Sequence, residues 1–347
     1  MKIAHILWDF EIGGIQTMLV DIANEQVKTE QVCVVLINDC YNPALLAKLD
    51  GRILIKKIGR MPGSKNPLPI LKLNAFLLWW DPDVIHCHDH SQNKLIVQKS
   101  KMVRTIHNTH SNCKDYKDFK RLFCISNEVK RYTSEQGYKD GIVVYNGIHT
   151  SLVKSSPEGI FKDGNKHLIC VGRLYPDKGQ IVLLKAIDEL VNKRNVHDFQ
   201  LDLIGDGESR QELEEYVSRH NLNSNVSFLG SKPREEFYKL LCEYDLFILP
   251  SVSEGFGLTL AEACSAKLPV VSCDLAGPLE VIEGGRLGVT FKCGDHLDLA
   301  NKIMSFLQTG TDMEKVESAY QFVKANFDVK STATRYIDEY KKFINAR

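Results

Sequence analysis

Residues 245–272 read Asp-Leu-Phe-Ile-Leu-Pro-Ser-Val-Ser-Glu-Gly-Phe-Gly-Leu-Thr-Leu-Ala-Glu-Ala-Cys-Ser-Ala-Lys-Leu-Pro-Val-Val-Ser. Asp245 to Pro250 has the apolar run of a buried strand that stops at a proline, and Ser251, Ser253 and two glycines then open a loop. A helix is predicted to start near Gly257 or Leu258. Leu258, Leu260, Ala261 and Cys264 supply its apolar positions, and Lys267-Leu268-Pro269 ends it with a cation in the last turn and a residue that cannot continue. Val270 to Ser272 is the next strand.

The first N–H groups of such a helix have no carbonyl partner within it and carry the positive end of its dipole, so an anion such as a phosphate is favoured there. Glu254 lies in the loop before the helix and Glu262 about one turn inside it. Carboxylates flanking a phosphate would serve sugar and ribose hydroxyls. The alternative is a Glu262 that only favours the helix dipole and a solvated Glu254.

The same strand-and-helix rhythm runs outward in both directions. In the second half, strands are predicted at His167 to Val171, Phe199 to Ile204, Val226 to Leu229 and Leu246 to Leu249, with a helix from about Gly179 to Lys193. The first half opens on a strand, Lys2 to Trp8, then Gly13-Gly14 and a helix through Met18, Leu19 and Ile22. Short apolar runs follow at 32–37, 84–87, 103–106, 122–125 and 142–145, as in a parallel sheet covered on both faces. Two wound domains are predicted, 1–155 and 156–329, joined through Ser155, Ser156, Pro157 and Gly159, with a last helix at about 330–347 packing back on the first. The glycines at the strand ends mark a cleft for ligand.

At 347 residues, 44% hydrophobic and 25% charged, the chain has room for two cores. Residues 1–150 carry 20 Lys and Arg against 15 Asp and Glu, and the remainder 24 against 29, so the first half is mildly basic. Ten cysteines without paired spacing suggest a reducing, cytoplasmic setting. The N-terminus has no signal-peptide pattern, and the longest apolar segment, Leu68 to Trp80, is too short to span a bilayer.

With two wound domains and the Glu254–Glu262 segment in the second, the chain resembles retaining glycosyltransferases of family 4 with the GT-B fold, two Rossmann-like domains facing across a cleft. Val171-Gly172-Arg173-Leu174 with Asp177-Lys178-Gly179, Leu203-Ile204-Gly205-Asp206-Gly207 and Val144-Tyr145-Asn146-Gly147-Ile148 also carry the resemblance. It implies transfer of a hexosyl group from a nucleotide-diphosphate sugar, with UDP as the foremost nucleotide, without metal or other cofactor. Arg173 and Lys178 match the basic pair that holds the donor diphosphate; Glu254 matches the residue meeting the transferred sugar and Glu262 the one binding the ribose. Gly257, Leu258, Thr259 and Leu260 would serve the phosphates, with Gly205, Asp206 and Gly207 beside them, and Gly13-Gly14 would approach them from the first domain. His107 matches a histidine near the sugar; the other reading of a histidine at a strand end is a satisfied structural residue.

His86-Cys87-His88-Asp89-His90 has the alternation of a metal site, with His86, His88 and His90 able to share one face. The resembled family needs no metal, so His88 and Asn108 are placed on the acceptor side instead. The acceptor implied is a glycan or a lipid-linked glycan of surface polysaccharide, capsule, lipopolysaccharide or glycolipid synthesis, and no nucleic acid is expected as partner. Lys56, Lys57, Arg60 and Lys65, followed by Ile70, Leu71, Phe76, Leu77, Trp79 and Trp80, read either as a peripheral contact with an anionic membrane or as an internal helix. Lys114, Lys117, Lys120 and Arg121 read as an acceptor-side lining or a solvated helix face. Two other classes stay open: a non-catalytic nucleotide-sugar binder of the same fold, and a dinucleotide-dependent oxidoreductase, against which Gly205-Asp206-Gly207 lacks the third glycine of G-x-G-x-x-G.

Overall fold

A computed structural model describes residues 1–109, 115–155, 165–310 and 312–346. The chain divides into two compact units, Met1–Ile148 with Phe327–Arg347, and His149–Asn326. The division falls at Ile148 rather than at residue 155. Ile148 N–H donates to the carbonyl of Phe327 at 2.8 Å, and Val329 N–H donates to that of Ile148 at 2.9 Å, so this stretch stays with the first unit. Lys114, and Ser156, Pro157 and Gly159 of the expected join, lie outside the described residues.

The first unit runs Lys2–Leu7 (β1), Gly14–Gln26 (α1), Gln31–Asn38 (β2), Pro43–Leu46 (α2), Leu54–Arg60 (β3), Leu68–Trp80 (α3), Val84–Cys87 (β4), Met102–Ile106 (β5), Arg121–Cys124 (β6), Asn127–Glu135 (α4) and Ile142–Val143 (β7). Its sheet has the order β3-β2-β1-β4-β5-β6-β7, and all pairs are parallel. Val32 to Ile37 are buried on both faces, which is why their run is continuously apolar rather than alternating. The C-terminal helix, Val329–Asn345, packs Val329, Ala333, Tyr336, Tyr340 and Phe343 against Ile3, Ile22, Val84, Val103 and Phe123.

Sequence pattern did not reveal β3. It lies at the sheet edge, where lysines block further pairing; Lys56 Nζ sits 4.9 Å from the Phe76 ring centre and Lys57 Nζ 3.8 Å from that of Tyr41. The apolar segment after it does form a helix, α3, and that helix has two apolar faces. Leu73, Phe76 and Leu77 are buried, whereas Leu68, Leu71 and Leu78 are exposed and Trp79 is 77% exposed. No helix among the described residues is long and apolar enough to cross a membrane.

The second unit runs Lys166–Val171 (β8), Gln180–Asp188 (α5), Phe199–Ile204 (β9), Arg210–Arg219 (α6), Val226–Gly230 (β10), Arg234–Leu240 (α7), Leu246–Leu249 (β11), Leu258–Ser265 (α8), Val270–Cys273 (β12), Ala276–Val281 (α9), Val289–Phe291 (β13), His296–Thr309 (α10) and Met313–Asn326 (α11). A π turn over Glu189–Lys193 continues α5. The parallel order is β10-β9-β8-β11-β12-β13. The short edge strand β13 was also not anticipated. In each sheet the winding reverses beside the first strand, between β1 and β4 and between β8 and β11. Ligands of such sheets bind outside the carboxyl ends of the strands at that point.

Candidate functional site

In the second unit, the switch point is built from the loops after β8 and β11. Val252 N–H and Ser253 N–H both donate to the carbonyl of Asp177, at 3.0 and 3.2 Å, so the two loops are tied through backbone. Gly179, with φ of 68°, lies so near that a Cβ there would overlap the carbonyl of Pro250. Leu174 N–H donates to the carbonyl of Asp206 at 2.9 Å, and a Cβ on Gly205 (φ 143°) would overlap the carbonyl of Gly172. Here glycine is required because backbone meets backbone.

These loops bring Lys178 and Glu254 together: Nζ lies 2.9 Å from Oε2, with both side chains about four-fifths buried. Asp177 Oδ2 is 3.6 Å from the same ammonium. Arg173 is exposed, lies 5.0 Å from the Tyr175 ring centre, and has no ion-pair partner among the described residues. Gln180 Nε2 donates to its carbonyl at 2.9 Å. Asp206 is held by Arg210 at 3.2 Å, and Gly207 N–H donates to Asp206 Oδ1.

Leu258–Ser265 begins at Gly257, which has φ of 101° and gives no side-chain cap. The first helical bond runs from Ala261 N–H to the carbonyl of Gly257, 3.1 Å, so the amides of Leu258, Thr259 and Leu260 have no helical acceptor. Glu262 is buried. Tyr238 OH donates to its Oε1 at 2.8 Å, and Arg234 Nε lies 3.9 Å from the same oxygen. Burial and the neighbouring Glu262 push the Tyr238 phenol up, so it stays a neutral donor. Tyr238 and Arg234 are site residues that the sequence pattern did not single out. The only sequence hint is their spacing of four on one helix, which lets Arg234 reach Tyr238 OH at 2.6 Å.

In the first unit, Gly13 caps α1 with extended backbone, and Gly14 has open space where a Cβ would stand. Neither glycine is demanded by φ; both leave the helix start uncovered. His107 and Asn108 follow β5. Burial, with Arg104 nearby, lowers the His107 imidazole to about 3, so its ring is neutral.

His88 is not on an open surface. It is 4% exposed, its Nε2 lies 3.0 Å from His5 Nδ1, and its ring stacks on His86 at 4.3 Å. The clustered ligand atoms belong to His5, His86 and His88, while His90 is exposed. Five of the six ring nitrogens have protein partners: His5 with His88 and Gln26, and His86 with Thr105 and Tyr340. The cluster reads as a buried polar network completed by the C-terminal helix.

That network has a pH signature. Burial lowers His5 to about 4 and holds His86 and His88 well below the ordinary imidazole value. A folded-state value below the unfolded one gives stability that is complete above the unfolded pKa of ~6.5 and is lost as pH falls through the folded value. The melting temperature is therefore expected to fall steadily from about pH 6.5 to about pH 4, each such histidine costing up to ~1.4 kcal/mol per pH unit. A flat profile across that window would contradict neutral burial.

The chain matches two family models, described as Glycosyl transferases group 1 over residues 154–323 and Glycosyltransferase Family 4 over residues 12–152. Among curated relatives, an uncharacterized glycosyltransferase of Methanocaldococcus jannaschii is 29% identical over 187 residues, covering 54% of this chain and 49% of the relative. The GPI3 subunit of the Saccharomyces cerevisiae phosphatidylinositol N-acetylglucosaminyltransferase is 25% identical over 179 residues, covering 47% and 37%. The chain spans about half, or less, of the length of these relatives. The solved structure of HepE from Anabaena in complex with UDP and glucose matches with a TM-score of 0.82 at 21% identity, covering 99% of this chain and 100% of that one.

Proposed function

We propose that this chain, which belongs to the group 1 and family 4 glycosyltransferases and has their GT-B fold, moves a hexosyl group from a UDP-sugar to a glycan or lipid-linked acceptor with retention of anomeric configuration and without a metal. The observation that carries this is the grouping, at one switch point, of Arg173, the Lys178–Glu254 pair and the uncapped start of α8. Fold alone would not specify a reaction. HepE, of the same fold, binds UDP and glucose, which supports the choice of nucleotide.

Departure of a nucleoside diphosphate leaves negative charge on phosphate and positive charge at the anomeric carbon. Arg173, Lys178 and the amides of Leu258, Thr259 and Leu260 would stabilise the former. Glu254 holds Lys178 in place and presents its remaining oxygen to a sugar hydroxyl; Glu262 takes the ribose. We favour attack on the face from which the phosphate leaves, with that phosphate accepting the acceptor's proton.

A thermal-shift screen of nucleotide sugars identifies the donor, because binding stabilises the native state according to affinity. Transfer by that donor to glycan and lipid-linked acceptors, read by proton NMR, should give the retained anomer with turnover unchanged in chelator. An inverted product would sink the stereochemistry; nucleotide binding with no transfer would make the chain a non-catalytic binder. Tyr238→Phe is expected to weaken UDP binding about fivefold by calorimetry, with little change in fold, because Glu262 loses its neutral donor.

Lipid-linked acceptors would place the protein peripherally at an anionic membrane in a surface-polysaccharide or glycolipid pathway. The exposed face of α3 supports this: Leu68, Leu71, Leu78 and Trp79 are exposed, as is Met61, and residues 54–80 hold five Lys and Arg and no acid. Leu78→Glu with Trp79→Glu should cut co-sedimentation with phosphatidylglycerol vesicles about tenfold. Unchanged sedimentation would remove the membrane from the proposal.

A further inference from the structure

A cavity of about 640 Å³ in the first unit opens at the far rim of its sheet from the glycine loop. It is lined by Tyr116, Phe119 and Tyr138 and by five cations, Lys117, Lys120, Arg121, Lys130 and Lys139, with Asp140 the one acid. Lys120 and Arg121 stand at the start of β6, and Gly137 to Gly141 lead into β7. His107 follows the end of β5. The strands are parallel and β6 is four residues long, so the cavity and the strand ends that carry His107 lie on opposite rims, about 13 Å apart along the strand. Lys117, Lys120 and Arg121 neither line the carboxyl ends of the strands nor form a helix face: a single 3-10 turn, Tyr116–Asp118, precedes the strand.

Among the described residues none of the five cations has an ion-pair partner, whereas Arg131 on the same helix as Lys130 is bound by Glu128 and Glu135. Behind the aromatic wall lies a sixth cation. Arg104 is 3% exposed, its guanidinium is 5.1 Å from the Tyr116 ring centre and 5.6 Å from that of Phe119, and its Nε and Nη1 have no hydrogen-bond partner among the described residues. A guanidinium does not deprotonate in a protein, so its charge adds to the field in the cavity. Like charges gathered around one concavity repel one another and raise the local concentration of an opposite charge. Scattered solvated lysines on a chain of zero formal net charge would not need a shared hollow or a buried arginine behind it.

We propose that this cavity is a second anion site, which takes the phosphate group of a small ligand and is separate from the donor site. Lys117, Lys120 and Lys139 are exposed and reach the ligand first; Arg121 and Lys130, half-buried, hold it against the Tyr138 ring. The phosphate has two chemical sources, a free phosphorylated solute or the diester headgroup of a lipid.

Calorimetry on the full chain carrying Arg173→Ala and Lys178→Ala, which silence the proposed donor site, separates them. Inorganic pyrophosphate is the probe for the first and glycerophosphoglycerol for the second. Saturable binding of either supports the site; a preference for pyrophosphate assigns a free solute, and a preference for the diester a headgroup. Adding Lys117→Gln, Lys120→Gln and Lys139→Gln should weaken that binding about tenfold or more, because charge-assisted contacts are removed, while the melting temperature holds. Absence of binding by both probes, or equal binding after the three substitutions, overturns the proposal whatever the outcome at the donor site.

Discussion

Lys178→Ala is expected to lower kcat about a hundred- to a thousandfold, the loss that follows removal of one preorganised group from a developing negative charge. Arg173→Ala should match it. The two differ in what they leave behind. Lys178 is bound to Glu254 at 2.9 Å, so its removal also frees the carboxylate that is proposed to meet the sugar, and KM for the donor should rise with the fall in kcat. Arg173 is exposed and, among the described residues, its guanidinium rests against Tyr175 alone, so its loss should fall on kcat with the fold intact. Steady-state kinetics and a melt of each variant check this. Near-normal turnover in both would remove the site assignment, and a collapse in melting temperature would make the loss one of structure.

The second large effect is structural. Gly205→Ala should destabilise the second unit by about 3 kcal/mol or more, a fall of roughly 10 °C in its melting temperature. Its φ of 143° is foreign to an L side chain, the added Cβ would overlap the carbonyl of Gly172, and Gly205 N–H is pinned at 2.9 Å to the carbonyl of Gly230. No side-chain rotation relieves a clash with backbone. Gly14→Ala is the control: nothing lies within 4 Å of its Cβ position and its φ is not positive, so stability should hold. A loss of activity in that variant would then report a ligand approaching the start of α1. Equal melting temperatures for Gly205→Ala and the parent would refute the backbone contact.

Much of the fold was legible because buried parallel strands announce themselves as continuous apolar runs that stop at a polar residue or a proline. Val32 to Ile37 and Leu246 to Leu249 are of this kind. Two of the four edge strands were not, because solvent claims one side of them: β3 carries lysines at its centre, and β13 is three residues with Val289 exposed. At the site, Glu254, Lys178 and Arg173 could be named from spacing and resemblance, but the 2.9 Å pairing of two of them crosses 76 residues of chain and leaves no local trace. Tyr238 was invisible for the same reason: as a buried aromatic on a helix it reads as core until Glu262 is seen beside it. The surroundings of His88 left no trace, because alternation along one strand says which face a side chain takes, not what covers that face. The rings of His5, His86 and His107 surround His88, and Tyr336 and Tyr340 of the C-terminal helix cover His86 in turn.

The bridge between Ile148, Phe327 and Val329 has a consequence for biogenesis. The second unit is an insertion: the chain leaves the first unit at Ile148 and rejoins it beside the same residue. As a ribosome delivers the chain, most of the first unit emerges early, yet Tyr336 and Tyr340, which close its core over Phe123 and His86, are made only after the whole second unit. Domains are ordinarily completed in the order of their synthesis. Here the later unit is complete first, and the earlier one waits on the nascent chain with a histidine-lined face uncovered until the helix Val329–Asn345 has emerged.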